Sequence, residues 1–184
     1  LPATQDGTLP ISRTLSGPQI SYQWIQSDFI EERFLHKMER IEDVNLGQEG
    51  SLMAGFMPKA FDSDQDWTIL GAQEQAGLRL GPGHYVLGSV GAASRHGQDR
   101  WNNTVVYANA NYFLRRSLPW MNTWVVHGEI AEGKRLDGEN QIELGGDTGL
   151  RGYRIRAFTG SKSILFNLEN RSYYPREFWN LTYF

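Results

Sequence analysis

The sequence lacks cysteine altogether, and it has no long uninterrupted apolar run. The absence of cysteine excludes a disulfide framework and a thiolate metal site. No apolar run approaches the roughly 20 residues that a membrane-spanning helix requires. The formal net charge is only -3, which argues against a surface that binds nucleic acid. What remains is a chain of 184 residues, enough for one domain, whose apolar residues are spread along its length.

Aromatic residues and glycine, in contrast, are plentiful, with six Trp, eight Tyr, nine Phe and 20 Gly. The mean hydropathy of -0.49 is typical of a water-soluble protein. A membrane β-barrel has a similarly low average, because lipid-facing and lumen-facing side chains alternate along each strand. Aromatic side chains form interfacial girdles in such barrels, but a soluble sandwich can also bury them. Composition therefore leaves both classes of β-protein open.

Apolar and polar side chains alternate along several segments, and this pattern predicts β-strands. It is clearest at residues 103–115, where Val106 and Ala108 point one way and Tyr107 and Asn109 the other. The segment at 28–43 carries many charges and is interpreted as strand ends around a solvated loop, with a partly helical segment as the alternative. The other strands are expected at 20–26, 46–57, 70–80 (where Glu74 interrupts the apolar face), 84–95, 124–130 and 163–174, with an eighth beginning near Phe178.

A long connection at residues 133–160 follows the sixth expected strand. Hairpin connections usually have about 2–5 residues, and much longer ones are usually functional or disordered. Four glycines surround Arg151 within residues 144–153. Because glycine permits close approaches that other residues resist, we expect a loop folded tightly into a confined space. A guanidinium held there needs a carboxylate partner, and Glu169 in the next strand is the nearest one in a suitable setting.

These segments also resemble the signature of a known family. The similarity lies in Gly145-Gly146, in the tetrapeptide Leu150-Arg151-Gly152-Tyr153, and in a following strand that reads Asn167-x-Glu169-x-Arg171. The same pattern is found in the BamA/TamA superfamily of outer-membrane assembly and secretion barrels. The family's second acidic partner, in a Phe-x-Asp-x-Gly motif one strand later, has no counterpart before Phe184.

The resemblance implies a role for each of these residues. Arg151 would be the arginine at the tip of a loop folded into the barrel lumen, and Glu169 its partner on the inner wall. Asn167 and Arg171 share the face of Glu169 and are expected to extend the network. Tyr153 is expected to pack against the inner wall, with a solvent-facing loop tyrosine as the alternative.

The resemblance further implies an all-β fold, a transmembrane antiparallel β-barrel. About eight strands are expected in residues 1–184, either as part of a barrel of about sixteen strands or as a reduced barrel. The implied function is the insertion or export of polypeptides in a bacterial outer membrane. The partners would be outer-membrane lipids and client or partner polypeptides, with a homo-oligomer left open and no nucleic acid. The alternatives are a passive outer-membrane barrel with a structural or pore role, and a soluble ligand-binding β-barrel or sandwich.

The residue pattern does not favour an enzyme. The four histidines, His36, His84, His96 and His127, lack the spacing of metal ligands. His127 and Glu129 share a strand face, but no nucleophile motif such as Gly-x-Ser-x-Gly accompanies them. Residues 145–149 lack the lysine and the following helix of a phosphate loop. We therefore expect no covalent chemistry, no metal and no cofactor.

Overall fold

Alternation of side chains along the sequence produces an all-β structure. The computed structural model describes residues 12–37, 40–117, 120–138 and 140–173, with the backbone of 177–178 and 181–182. Apart from a short 3-10 helix at Lys59–Phe61, the elements are strands. In chain order they are β1 Gln19–Ile25, β2 Phe29–Arg33, β3 Ile41–Asn45, β4 Gln48–Met57, β5 Trp67–Gly81, β6 His84–Gly97, β7 Arg100–Arg116, β8 Met121–Lys134, β9 Ile142–Leu144, β10 Phe158–Gly160, β11 Lys162–Tyr173, β12 Glu177–Phe178 and β13 Leu181–Thr182.

Seven of these strands form one antiparallel sheet in the order β1-β4-β5-β6-β7-β8-β11. In the part of the chain that the structure describes, β1 and β11 are the edges of this sheet, and they do not pair with each other. The described sheet is therefore open, whereas the sequence led us to expect a closed barrel. No helix among the described residues is long and apolar enough to cross a membrane.

The expected strands correspond to the seven strands of the sheet, with ends that differ by a few residues. The eighth strand, expected to begin near Phe178, corresponds in position to β12. There, β12 and β13 form a separate two-stranded ladder in which Phe178 pairs with Leu181. Their backbone pairs locally instead of extending the edge at β11.

The two faces of the sheet differ sharply in chemistry, because successive side chains along a strand point to opposite faces. One face, which we call the covered face, carries polar rows such as Gln75, Ser89, Asn109 and Glu129, which are aligned across β5 to β8. The other, which we call the open face, is mainly apolar and exposed. Its exposed residues include Leu70, Val90, Ile130, Ile164 and Leu168.

The segment between β1 and β4 folds back over one end of the covered face as the β2–β3 hairpin. Leu35, at the hairpin turn, is 0% exposed. It forms the core of the molecule together with Val44, Leu46, Tyr85, Phe113 and Val125. The strand ends expected at 28–43 correspond to β2 and β3. The connection is not wholly solvated as expected, because one side of the hairpin faces the sheet and Leu35 is buried. Ile30 packs against the same core.

Polar contacts fix the position of this hairpin on the sheet. Glu32 forms an ion pair with Arg115, whose Nη2 lies 2.9 Å from Glu32 Oε2. Glu32 also accepts a hydrogen bond from the Tyr85 hydroxyl. Thr123 Oγ1, which is fully buried, donates to the Phe34 carbonyl at 2.8 Å. The charge of Glu32 thus anchors the hairpin to β6 and β7, and the Phe34 carbonyl anchors it to β8.

Truncation of Leu35 should detach the hairpin. Leu35→Ala removes a fully buried side chain and is expected to lower the free energy of unfolding by about 2–5 kcal/mol. Ile41→Ala is the matched control, because Ile41 lies in the same hairpin but is 56% exposed. Urea denaturation followed by tryptophan fluorescence measures both variants. Equal losses in the two variants would contradict the packing described for the hairpin.

Candidate functional site

The long connection between β8 and β11 spans residues 135–161 and folds back over the covered face from the other end of the sheet. It contains the short β9–β10 ladder, in which Leu144 pairs with Phe158 and Ile142 with Gly160. At its base, the Gly133 amide donates to the Ser161 carbonyl at 2.7 Å. The expected loop at 133–160 therefore corresponds to a small hairpin with a structured tip at residues 145–157.

The tip holds its shape through hydrogen bonds within the motif. The Gly145 amide donates to Thr148 Oγ1 at 2.7 Å, and the Leu150 amide donates to the Gly145 carbonyl at 2.9 Å. Gly149 and Gly152 have φ values of +100° and +88°, a region that residues with a side chain rarely adopt. Two glycines therefore flank Arg151 and set the direction in which it leaves the loop.

Gly149 is also the point at which the tip meets the sheet. A Cβ atom added there would lie 2.6 Å from Leu165 Cδ2 and 3.2 Å from Asn167 Nδ2. Asn167 Nδ2 donates to the Gly149 carbonyl at 3.2 Å. The absence of a side chain at this position lets the loop backbone lie directly on the covered face of β11.

Arg151 and Glu169 form the central ion pair of the site. Arg151 Nη2 lies 2.6 Å from Glu169 Oε1. The Arg151 side chain is 79% exposed and that of Glu169 is 24% exposed. An exposed pair of this kind contributes only about 0–1 kcal/mol. In the open sheet, therefore, the pair specifies where the tip lies more than it stabilises the fold.

Arg171 extends this ion pair to the other insertion. Its Nη2 lies 2.9 Å from Glu169 Oε2, so the two oxygens of one carboxylate serve two different guanidinium groups. Arg171 Nη1 donates to the carbonyl of Leu35 in the β2–β3 hairpin at 2.5 Å. The two segments that cover this face from opposite ends are thereby joined through Glu169 and Arg171.

A second group of charges fastens the base of the loop. The carboxylate of Asp137 accepts hydrogen bonds from Arg95 Nη2 at 2.8 and 2.9 Å and from Arg13 Nη1 and Nη2 at 3.2 and 3.1 Å. Arg95 is 8% exposed and lies over the ring of Trp67 at 4.6 Å. Sequence reasoning missed this cluster, because Arg13, Arg95 and Asp137 lie far apart in the chain and follow no recognisable spacing.

The remaining residues of the predicted site have simpler positions. Gly145 and Gly146 contribute backbone groups to the tip, and Leu150 is partly buried. The expectation that Tyr153 packs on the inner wall is wrong for this structure. Tyr153 is 57% exposed, and its ring contacts Phe158 of β10 with centroids 5.5 Å apart. It ends a turn in which the Tyr153 amide donates to the Leu150 carbonyl at 3.2 Å.

The enzymatic alternative concerned His127 and Glu129 of β8. His127 Nε2 lies 3.8 Å from Glu129 Oε2, and His127 Nδ1 lies 2.8 Å from Asn111 Oδ1. These groups belong to the polar rows of the covered face. Within the described ranges, no group of three or more His, Asp or Glu side chains is arranged to hold a metal ion.

Comparisons with models of known protein families, with curated proteins and with solved structures found no significant match to this chain. The proposal of a function therefore depends on the residues and geometry described above.

The contact between the loop tip and β11 should depend more on Gly149 than on Gly152. Gly149→Ala places a methyl group against Leu165 and also strains the backbone, whereas Gly152→Ala strains the backbone in open space. We expect faster tryptic cleavage at Arg154 and Arg156 in both variants, with the larger increase in Gly149→Ala. Mass spectrometry of a time course gives the rates. A larger effect of Gly152→Ala would rule out close contact between the tip and β11.

Loss of Asp137 should release the base of the loop. Asp137→Ala leaves the buried Arg95 guanidinium without its carboxylate and is expected to cost about 3–5 kcal/mol of unfolding free energy. Asp147→Ala is the matched control, because Asp147 is an exposed carboxylate of the same loop. Chemical denaturation and protease protection of residues 135–161 are the measurements. Equal behaviour of the two variants would show that the cluster does not fasten the loop.

Proposed function

We propose that this chain forms part of a transmembrane antiparallel β-barrel in a bacterial outer membrane and acts in the insertion or export of polypeptides. The observation that carries the proposal is the contact of Arg151 with Glu169. It joins the tip of a long inserted loop to the polar face of the following strand. Both residues belong to the segments that resemble the BamA/TamA signature.

The chemistry of the open face supports a position in a membrane. Ile164, Phe166 and Ile130 are 80%, 67% and 55% exposed, and they belong to an apolar surface that spans several strands. A large exposed apolar surface marks a site of membrane or protein contact.

The edge strands β1 and β11 have backbone groups that further strands could pair with, and such pairing would close a barrel around the covered face.

The covered face supports the handling of polypeptide. Between the two insertions it presents amide and hydroxyl groups, which can hydrogen-bond to an extended chain. They include Gln73, Gln75, Ser89, Asn109 and Asn111.

The proposed role is mechanical, with no covalent step. In an enclosed lumen the Arg151–Glu169 pair would be stronger than in water, because the local dielectric constant is lower. The loop would then brace the wall, and Arg171 would transmit its position to the β2–β3 hairpin.

Removal of Arg151 tests this role. The full chain is reconstituted into vesicles of phosphatidylethanolamine and phosphatidylglycerol, and a small urea-unfolded outer-membrane barrel is added as the substrate. We expect the chain to accelerate folding of this substrate, measured as the shift of its folded band on unheated gels. Arg151→Ala should lose most of the acceleration while it stays inserted in the vesicles. Arg154→Ala, which changes an exposed arginine of the same loop, should keep it.

Three results would count against the proposal. If the wild-type chain does not insert, the membrane position is wrong. If it inserts and gives conductance steps but no acceleration, the passive pore is favoured. If Arg151→Ala is fully active and its loop is fully protected from protease, the bracing role is wrong.

A further inference from the structure

Glu74 is a charged residue in the middle of the open face. It is the central residue of β5, with Ala72 and Ala76 on the same face of the strand. Across the sheet it pairs with Gly50 of β4 and Val90 of β6. The carboxylate is therefore surrounded by small and apolar residues.

The other charged side chains on the open face of the described sheet strands lie near strand ends. Arg116, Lys134 and Lys162 are terminal residues of their strands. Glu132 has Lys162 Nζ at 3.1 Å and Lys134 Nζ at 3.8 Å. In contrast, no hydrogen bond or ion pair from any described residue reaches the Glu74 carboxylate. An unpaired carboxylate on an apolar face is costly, and in a membrane protein such a group usually serves a function.

Glu74 lies beside an aromatic pair from the edge strand. A Cβ atom added to Gly50 would lie 2.2 Å from Glu74 Oε2 and 2.1 Å from Trp24 Cζ2. Both side chains therefore lean over Gly50, and the carboxylate lies against the indole ring. Tyr22 stacks on Trp24 with ring centroids 5.8 Å apart. Aromatic rings together with a carboxylate form the kind of surface that attracts an ammonium or guanidinium group.

We propose that Glu74 and Trp24 form a docking point for a single lysine or arginine side chain on an otherwise apolar polypeptide segment that lies against the open face. The residues alongside supply an apolar groove for the rest of that segment, lined by Leu52, Ala72, Val90 and Ala92. Charge complementarity selects the occupant, because no described residue pairs with the Glu74 carboxylate. The inference deepens the proposed function, and it rests on that function only in treating the open face as membrane-facing.

Two other sources of the cation fit less well. Seven residues separate Glu74 from each end of β5, which at about 3.3 Å per residue is roughly 23 Å along the strand. Strands of a membrane barrel tilt by about 35–45°, so this length corresponds to roughly 16–19 Å of depth, more than half of the apolar band of about 25 Å. A lipid headgroup, confined to the membrane surface, does not reach that depth. In a second copy of this chain, the open-face cations of the described strands are Arg116, Lys134 and Lys162, which lie at strand ends and not at mid-strand depth, and both lysines already lie beside Glu132. The cation therefore comes from a different polypeptide.

The test uses the full chain in dodecyl maltoside micelles and a fluorescent peptide of alternating Leu and Thr with one central lysine. A second peptide carries methionine in place of the lysine. Fluorescence anisotropy should show binding of the lysine peptide at least tenfold tighter than that of the methionine peptide. Glu74→Gln should remove this difference, and Trp24→Leu should reduce it. Glu132→Gln, which neutralises a carboxylate at the rim of the same face, should leave it intact.

Each other outcome overturns the inference. The docking point does not exist if the wild type binds both peptides equally, or if Glu74→Gln keeps the preference while its circular dichroism matches the wild type. If dodecylphosphocholine abolishes the preference at concentrations where dodecyl maltoside does not, the site recognises a lipid headgroup instead of a polypeptide. Binding in micelles does not depend on activity in vesicles, so a chain that fails to accelerate substrate folding can still show the lysine preference.

Discussion

One carboxylate, that of Glu169, is shared between two guanidinium groups, and the arrangement of the covered face depends on it. Arg151 brings the tip of the long loop to this carboxylate, and Arg171 connects it to the backbone of the β2–β3 hairpin. Each contact alone is weak because it is partly exposed to water. Together they fix two insertions, which enter from opposite ends of the sheet, in one relative position.

The difference between the two faces explains where the insertions go. A polar face can accept loop backbone, because its side chains satisfy carbonyl and amide groups, as Asn167 does for Gly149 and Thr123 does for Phe34. The open face is mainly apolar and has its charged groups mostly near strand ends, and the described insertions leave it uncovered. Glu74 differs from the other charged groups of that face, since it lies at the centre of its strand and has no partner among the described residues. The same reasoning that places the loops on one side therefore leads us to look for a partner on the other.

Much of the fold could be predicted from local patterns, and the errors have a common cause. Alternation located the seven strands of the sheet, since the period of two is a property of neighbouring residues. It could not show that Leu35 is fully buried or that Glu32 faces Arg115, because those environments are created by β6, β7 and β8. Tyr153 was misplaced for a similar reason. Its contact with Phe158, at the end of the turn that begins at Leu150, depends on how the loop folds.

The sequence by itself determined which side chains of each strand share one face of the sheet, and which loop carries an arginine flanked by glycines. Both features depend only on the spacing of residues that are close together in the chain. Only the tertiary structure decided that Asp137 fastens the loop to Arg95, that Arg171 reaches the Leu35 carbonyl, and that Glu74 leans with Trp24 over Gly50. The physical reason is strand pairing. The register of an antiparallel sheet brings together residues that are distant in the chain, and no local pattern encodes which distant residues will meet.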